Sequence, residues 1–200
     1  MATRPYDMTA RARAAEQTRV RIIEAAVTQF MQSDLSGMTL EAVAREAGVT
    51  LQTVLRHFGS KGGLVSAAVE HKTAEVLRMR TPPNPQDTDA AVHTLITTYE
   101  TMGDLNWRML CHEEHEPTLH EWLERARAVH RAWLEQVFGE VLPAHGPERA
   151  RRLELLFGAS DFYLWKLWRR DLGMSRQRTE RRMNELIKAV LQGFAPVEET

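Results

Sequence analysis

Four side chains able to bind a metal ion lie close together in the sequence: Cys111, His112, His115 and Glu116. On a helix, residues 111 and 115 would share a face, so a thiolate and an imidazole could bind one soft ion. However, Pro117 follows at once, the chain has a single cysteine, and no second ligand pair stands elsewhere. We therefore expect polar or pH-sensitive surface histidines, and we predict no metal and no cofactor.

Catalytic signatures are absent from the sequence. It contains no GxSxG turn, no glycine-rich loop that would bind phosphate, no HExxH and no carboxylates at metal-ligand spacing. Serine, histidine and aspartate residues are scattered, and nothing nominates one of them as a catalytic group. We predict that the chain is not an enzyme, and a helical enzyme or scaffold is the less favoured alternative.

The segment from Thr39 to Lys61 has the residue types of two short helices joined by a tight turn. Thr39 is placed to cap the first helix, because its hydroxyl can accept a hydrogen bond from a free backbone N–H. Val43 and Ala47 would give this helix a small apolar face that a second helix can cross closely. Gly48 permits the left-handed backbone that a sharp turn needs. The pattern predicts a helix-turn-helix.

The second short helix presents a partly polar outer surface. Thr50 can cap this helix, and Val54 and Phe58 would point inward at a spacing of four residues. The side chains left for its outer surface are Leu51, Gln52, Thr53, Leu55, Arg56 and His57. Such a helix fits the major groove of DNA, about 12 Å wide, and presents its first residues to base edges. We therefore predict a double-stranded DNA partner.

Basic groups flank this segment. Ser60 and Lys61 place a hydroxyl and a cation at the next helix start, where free N–H groups and the helix dipole would attract a DNA phosphate. Four arginines precede or lie within the first helix: Arg11, Arg13, Arg19 and Arg21. They either reach phosphates or a minor groove, or form a solvated helix face.

At these positions the sequence resembles the TetR/AcrR family of helix-turn-helix regulators. The matching residues are Ile22, Ile23, Glu24, Ala25, Ala26, Phe30, Thr39, Val43, Ala44, Ala47, Gly48, Val49, Thr50, Thr53, His57, Phe58, Gly59, Ser60 and Lys61. The resemblance implies that Thr39 and Lys61 contact phosphates and that position 55 touches the DNA backbone. It also implies that Leu51, Gln52 and Thr53 face the bases, and that the regulator is a repressor.

Two residues depart from the family pattern. The family commonly has tyrosine at the position of Leu55 and lysine or another polar residue at that of Leu51. Leu55 cannot donate a hydrogen bond to a phosphate, so that contact is expected to be lost or apolar. We hypothesise that both leucines meet thymine methyl groups, which replacing A·T by G·C pairs in a bound site would test.

Composition and charge are those of a globular protein. Of the 200 residues 43% are apolar, and the single cysteine favours a reducing cytoplasm, where we expect the protein to lie. No apolar run approaches the about 20 residues needed to cross a bilayer, so no membrane role is predicted. The net charge is -1, but the first 80 residues hold 11 basic and 8 acidic groups against 15 and 19 afterwards.

Apolar residues recur at spacings of three and four, and strand signals are nearly missing, which predicts an all-α fold of about nine helices. Beyond the helix-turn-helix we predict helices near 61–79, 87–104, 106–115, 117–141, 147–171 and 175–194, after a first helix near 12–33. The proline-rich stretch 81–85 is the best boundary. The sequence thus predicts a DNA-binding domain at 1–80, with an N-terminal three-helix unit, and a ligand-binding and dimerisation domain at 86–200.

The helix predicted at 147–171 is apolar on more than one side, so a second subunit is expected to cover it, together with the last helix. The predicted dimer interface consists of Leu156, Ser160, Tyr163, Leu164, Leu167, Met183, Ile187 and Val190. The family resemblance implies the same arrangement. A two-fold homodimer would place its reading helices roughly 34 to 36 Å apart and read a palindromic operator.

Apolar and polar side chains of the second domain could line a small-molecule pocket: Met102, Trp107, Met109, Leu110, His112, Trp122, His130 and Trp133. For any single one of them ordinary core is the better interpretation. The resemblance favours a cavity, because family members respond to ligands that weaken DNA binding. We predict a small apolar or amphipathic effector, and the alternative is a helical regulator without a small-molecule inducer.

Overall fold

The structure is a computed structural model that describes residues 8–80 and 87–193. Within these ranges the chain forms nine α-helices, one π-helical turn and no strand. The helices are α1 (Met8–Gly37), α2 (Leu40–Glu46), α3 (Leu51–Phe58), α4 (Lys61–Met79), α5 (Thr88–His112), α6 (Pro117–Phe138), α7 (Pro147–Ser160), α8 (Phe162–Lys166) and α9 (Arg176–Gln192), and the π-helical turn is Leu167–Asp171. The predicted all-α fold is confirmed.

The predicted break between residues 104 and 106 is wrong, because α5 continues through it. The buried stripe of this helix runs from Leu95 through Tyr99 and Met102 to Met109, at helical spacing on both sides of the predicted break. Continuous burial of one face stabilises a continuous helix, since each turn gains from the same packing.

The single helix predicted at 147–171 is also wrong. Asp161 adopts an extended conformation (φ -70°, ψ 152°), so α7 ends before it and α8 begins after it. Its carboxylate accepts a hydrogen bond from the backbone N–H of Tyr163 at 2.8 Å, which is the geometry of a helix N-cap. The π-helical turn then replaces the last predicted α-helical turns.

The chain divides into two compact units, Met1–Ala74 and Glu75–Thr200. In the first unit α1 packs on α2, and α2 packs on α3. Ile22, Ile23 and Val43 are fully buried in this unit, as are Val54 of α3 and Leu64 of α4. These side chains hold α3 from its inner side, which leaves the opposite side of α3 to solvent.

In the second unit α5 packs on α6, α8 and α9, while α7 packs on α6, α8 and α9. Its core contains large side chains without exposure, among them Leu95, Leu134, Leu156 and Ile187. Arg169 of the π-helical turn forms an ion pair with Glu100 of α5 at 2.7 Å, which ties the turn to the bundle. None of the helices in the described ranges is long and apolar enough to cross a bilayer.

Gly103 lies inside α5 because the ring of Trp165 packs directly on its Cα; a Cβ at this position would overlap the ring. Trp165 is itself fully buried. We therefore expect Gly103→Ala to lower the free energy of unfolding by about 1–3 kcal/mol, as overpacking does. Urea unfolding followed by tryptophan fluorescence measures this unit directly, because all five tryptophans lie in it.

Gly158→Ala of α7 is the matched control for this change. A Cβ at Gly158 would meet no atom within 4 Å, so alanine should leave stability unchanged or raise it by about 0.5–1 kcal/mol. Equal effects of the two substitutions would contradict the close packing of Trp165 on Gly103.

Candidate nucleic-acid interface

The helix α2 is fixed at both ends by local hydrogen bonds. The Thr39 hydroxyl accepts a hydrogen bond from the backbone N–H of Ala42 at 3.1 Å, as the sequence predicted for a capping residue. After the helix, Gly48 has φ of 65°, and the N–H of Val49 donates to the carbonyl of Ala44 at 2.9 Å. This left-handed glycine ends α2 and turns the chain sharply toward α3.

The helix α3 starts at a second threonine cap. The hydroxyl of Thr50 accepts a hydrogen bond from the backbone N–H of Thr53 at 3.2 Å and lies 3.0 Å from the Thr53 hydroxyl. Val54 is fully buried, so it holds the inner side of the helix against the first unit. The two caps and this one anchor set the direction of the outer face of α3.

The outer face of α3 is the candidate DNA-reading surface. Gln52 and Arg56 are exposed and lie one helical turn apart. The other predicted contact residues on this helix are half-buried: Leu51, Thr53, Leu55 and His57. An eight-residue helix of this kind is about 12 Å long, so it matches the width of the major groove.

The start of α4 contains the residues of the predicted phosphate site. The Ser60 hydroxyl accepts a hydrogen bond from the backbone N–H of Gly63 at 3.1 Å, and Lys61 is the first residue of the helix. Of the N-terminal arginines, Arg19 lies over the ring of Phe58, 5.8 Å from its centre, and forms an ion pair with Glu16 at 3.9 Å. Arg19 therefore has contacts within its own unit.

A family model supports the same segment. The model described as "Bacterial regulatory proteins, tetR family" matches residues 22–68, which contain α2, α3 and the start of α4. This segment of 47 residues is therefore similar to the DNA-binding region of the TetR family. This confirms the resemblance seen in the sequence, and it covers the helix-turn-helix rather than the second unit.

The curated relatives match this chain over only part of their length. The HTH-type transcriptional repressor SCO4008 of Streptomyces coelicolor is 32% identical over 94 residues, which are 47% of this chain and 48% of the relative. The chain spans less than half the length of each of the curated relatives it matches.

Solved structures match over most of the chain. A transcriptional regulator from Rhodococcus sp. Rha1 is 20% identical, with a TM-score of 0.68 over 89% of this chain and 99% of that one. The multidrug binding protein EbrR, solved with imidazole, is 20% identical with a TM-score of 0.61 over the whole of both chains. At these identities the similarity shows the fold.

In the second unit, the eight predicted effector residues have different environments. The buried ones are Met102, Met109, Trp122, His130 and Trp133. Leu110 and His112 are half-buried, and Trp107 is 40% exposed with the Lys166 ammonium 4.0 Å from its ring centre. The rings of His130 and Trp133 stack with their centres 6.2 Å apart, so these two are brought together and Trp107 lies at the surface.

His130 is held by two hydrogen bonds. Its Nδ1 lies 3.0 Å from Nη1 of Arg80, and its Nε2 lies 2.9 Å from the Ser160 hydroxyl. Because arginine only donates, Nδ1 is the acceptor and the proton sits on Nε2. Burial, assisted by the charge of Arg80, lowers the pKa of His130 to about 3, so the imidazole is neutral at pH 7.

Sequence reasoning missed Arg80 and Tyr99, which lie at this place. The Tyr99 hydroxyl donates a hydrogen bond to the Ser160 carbonyl at 2.8 Å, and burial raises the pKa of Tyr99 to about 12. Tyr99 belongs to the apolar stripe of α5, so the helical spacing could have placed it inward. Arg80 follows a helix and precedes a proline-rich stretch, and no local pattern indicates that it is buried.

The eight residues of the predicted dimer interface also separate into two groups. Leu156, Ser160, Met183, Ile187 and Val190 are buried within one chain, where they contribute to its own core. Leu164 is half-buried, while Tyr163 is 53% and Leu167 is 44% exposed. Within this set, the side chains that stay exposed therefore lie on α8 and at the start of the π-helical turn.

The group considered as metal ligands lies near the end of α5. Cys111 and His115 are exposed, and His112 and Glu116 are half-buried. The neighbouring Glu113 accepts hydrogen bonds from Arg127 at 2.7 and 2.8 Å, and these bonds lower the pKa of Glu113. Glu113 thus forms an ion pair that joins the end of α5 to α6.

Proposed function

We propose that the chain is a dimeric TetR-family repressor that leaves a palindromic operator when a small molecule binds its second unit. The observation that carries this proposal is the pair of threonine-capped helices α2 and α3, in which Val54 holds α3 from inside and leaves Gln52 and Arg56 exposed one turn apart. An exposed helix face positioned by a rigid turn is what major-groove reading requires.

Three further observations support the proposed dimerisation, repression and effector binding. Tyr163 and Leu167 are large apolar side chains left exposed on adjacent turns, which a second copy of the chain would cover. The Streptomyces coelicolor relative is named as a repressor, and the structurally similar EbrR is described as a multidrug binding protein. The core at His130 combines aromatic surfaces with a few polar groups, as ligand sites do.

Operator binding divides into two roles that mutation can separate. We expect Gln52→Ala to cost about 1–3 kcal/mol at one base position, because Gln52 reads a base edge. We expect Lys61→Ala to weaken binding to every sequence alike and to reduce the salt dependence by about one counterion, because Lys61 contacts a phosphate. Fluorescence anisotropy with an operator selected from genomic fragments, and with single-base variants of it, measures both effects.

Gln177→Ala is the matched control, because Gln177 is an exposed glutamine of α9 in the second unit. It should leave all affinities unchanged. The proposal fails if no fragment is selected, and the assignment of roles fails if Gln52→Ala and Lys61→Ala change the operator variants in the same way.

A further inference from the structure

Arg80 is a buried cation that forms no ion pair with any carboxylate of residues 8–80 and 87–193. Its residue is 8% exposed, and it lies directly after the last residue of α4. One guanidinium nitrogen, Nη1, contacts His130, while the buried Nε has no hydrogen-bond partner in the parts of the chain that the structure describes. Buried arginines are normally paired with a carboxylate, because an uncompensated charge is costly to remove from water.

Among the described residues, the groups in direct contact with the Arg80 guanidinium carry no negative charge. The guanidinium lies over the rings of Tyr99 and Trp133, 5.4 and 6.0 Å from their centres. The hydrogen bonds that start at Arg80 pass through neutral His130 to the Ser160 hydroxyl, which donates to the carbonyl of Leu156 at 2.6 Å. The chain of bonds therefore ends on a peptide carbonyl.

The nearby acid, Asp161, is used otherwise. Its carboxylate caps α8 through the N–H of Tyr163, and burial raises the pKa of Asp161, a rise that the positive charges of Arg127 and Arg80 oppose. No ion pair joins Asp161 to Arg80 among the described residues. The Trp133 indole N–H donates to the backbone carbonyl of Arg80 at 2.6 Å, which holds the backbone of the arginine beside Trp133.

We infer that Arg80 is the anion-binding group of the effector site, and that the effector is an aromatic carboxylate. This inference rests on the proposed function. The Nε edge of a guanidinium matches the two oxygens of a carboxylate, and the rings of Trp133, Tyr99 and Phe157 suit an aromatic body. A phosphate would bring more charge into these aromatic surroundings, with a larger loss of hydration.

The position of Arg80 in the chain suggests how effector binding changes the affinity for DNA. Arg80 directly follows α4, the helix that begins with Lys61 beside the Ser60 cap. A carboxylate bound to Arg80 favours one position of its side chain, and thereby one conformation of the adjacent last turn of α4. Such a ligand weakens operator binding only if it prefers the state that does not bind DNA.

The test uses the full chain and three probes, benzoate, phenylacetate and 1-naphthoate, each compared with its neutral amide. Calorimetry and tryptophan fluorescence measure binding without DNA. We expect at least one carboxylate to bind 10-fold or more tightly than its amide, since the amide cannot form the charged pair. Equal binding of acid and amide, or no binding of any acid at millimolar concentration, overturns the inference.

Variants then locate the charge. Arg80→Gln should lose 10-fold or more in affinity for the carboxylate and leave the amide unchanged, whereas Arg80→Lys should lose less. Arg182→Gln is the matched control, because Arg182 is exposed on α9 and pairs with Glu185. If Arg80→Gln does not fold, the comparison of acid with amide in the unchanged protein still decides. Unchanged carboxylate affinity in a folded Arg80→Gln variant overturns the inference.

Operator binding is measured in parallel without any probe, which separates this inference from the proposed function. If the operator binds and the carboxylates do not, the effector class is wrong and the repressor proposal stands. If the carboxylates bind through Arg80 and no operator can be selected, the site stands and the repressor proposal fails.

Discussion

Replacing Gly63 by alanine is expected to disrupt the junction between α3 and α4 and to weaken operator binding roughly 100-fold. A Cβ on Gly63 would overlap the backbone carbonyl oxygen of Phe58, the last residue of α3. That oxygen also accepts a hydrogen bond from the N–H of Ser60 at 2.8 Å, so it cannot move freely. We expect a loss of about 3 kcal/mol in the stability of the first unit.

If operator binding must restore α3 to its position, the cost of about 3 kcal/mol lowers operator affinity roughly 100-fold. Amide hydrogen exchange across α3 is the appropriate measurement, because the first unit contains no tryptophan. Gly62→Ala is the matched control: the nearest atom to its Cβ would be the Ser60 hydroxyl oxygen at 3.8 Å, an ordinary contact. Alanine at 62 should keep operator affinity, and equal losses at both glycines would contradict the proposed overlap.

The helix-turn-helix could be predicted almost residue by residue because its signals are local. Thr39, Thr50 and Ser60 each accept the hydrogen bond expected of a cap, and Gly48 has the left-handed backbone expected of the turn. A cap depends on residues three positions apart, so the sequence contains the whole interaction. Asp161 is likewise a residue type that caps helices, here α8. The sequence analysis predicted one continuous helix across it because the residues on either side are apolar.

The candidate effector site was predicted only in part, because its polar partners come from distant segments. His130 and Trp133 lie three positions apart on one helix, and the sequence analysis named both among the candidate pocket residues. Arg80 reaches them from the end of α4, and Ser160 from the end of α7, where the sequence suggested a subunit interface. Such contacts depend on how helices pack, and periodicity within one helix does not contain that information.

Introducing a carboxylate at Leu167 is expected to separate the proposed dimer into single chains. Leu167 is 44% exposed at the start of the π-helical turn, and Tyr163, one turn earlier, is 53% exposed. In a two-fold dimer each substitution enters the interface twice, so Leu167→Glu buries two charges near the axis. A single chain holds one reading helix on the operator, which should lower affinity by roughly 100- to 10,000-fold.

Sedimentation equilibrium measures the change in mass, and anisotropy with a full operator and with one half-site measures the change in affinity. Val141→Glu is the matched control, because Val141 is 47% exposed in the turn after α6 and receives the same new charge. It should remain dimeric and bind the operator as the unchanged chain does. Because a half-site needs one reading helix, the Leu167→Glu variant should bind a half-site normally. Weak half-site binding would mean that the substitution damages the fold. If the Leu167→Glu variant stays dimeric, the interface lies elsewhere on the chain.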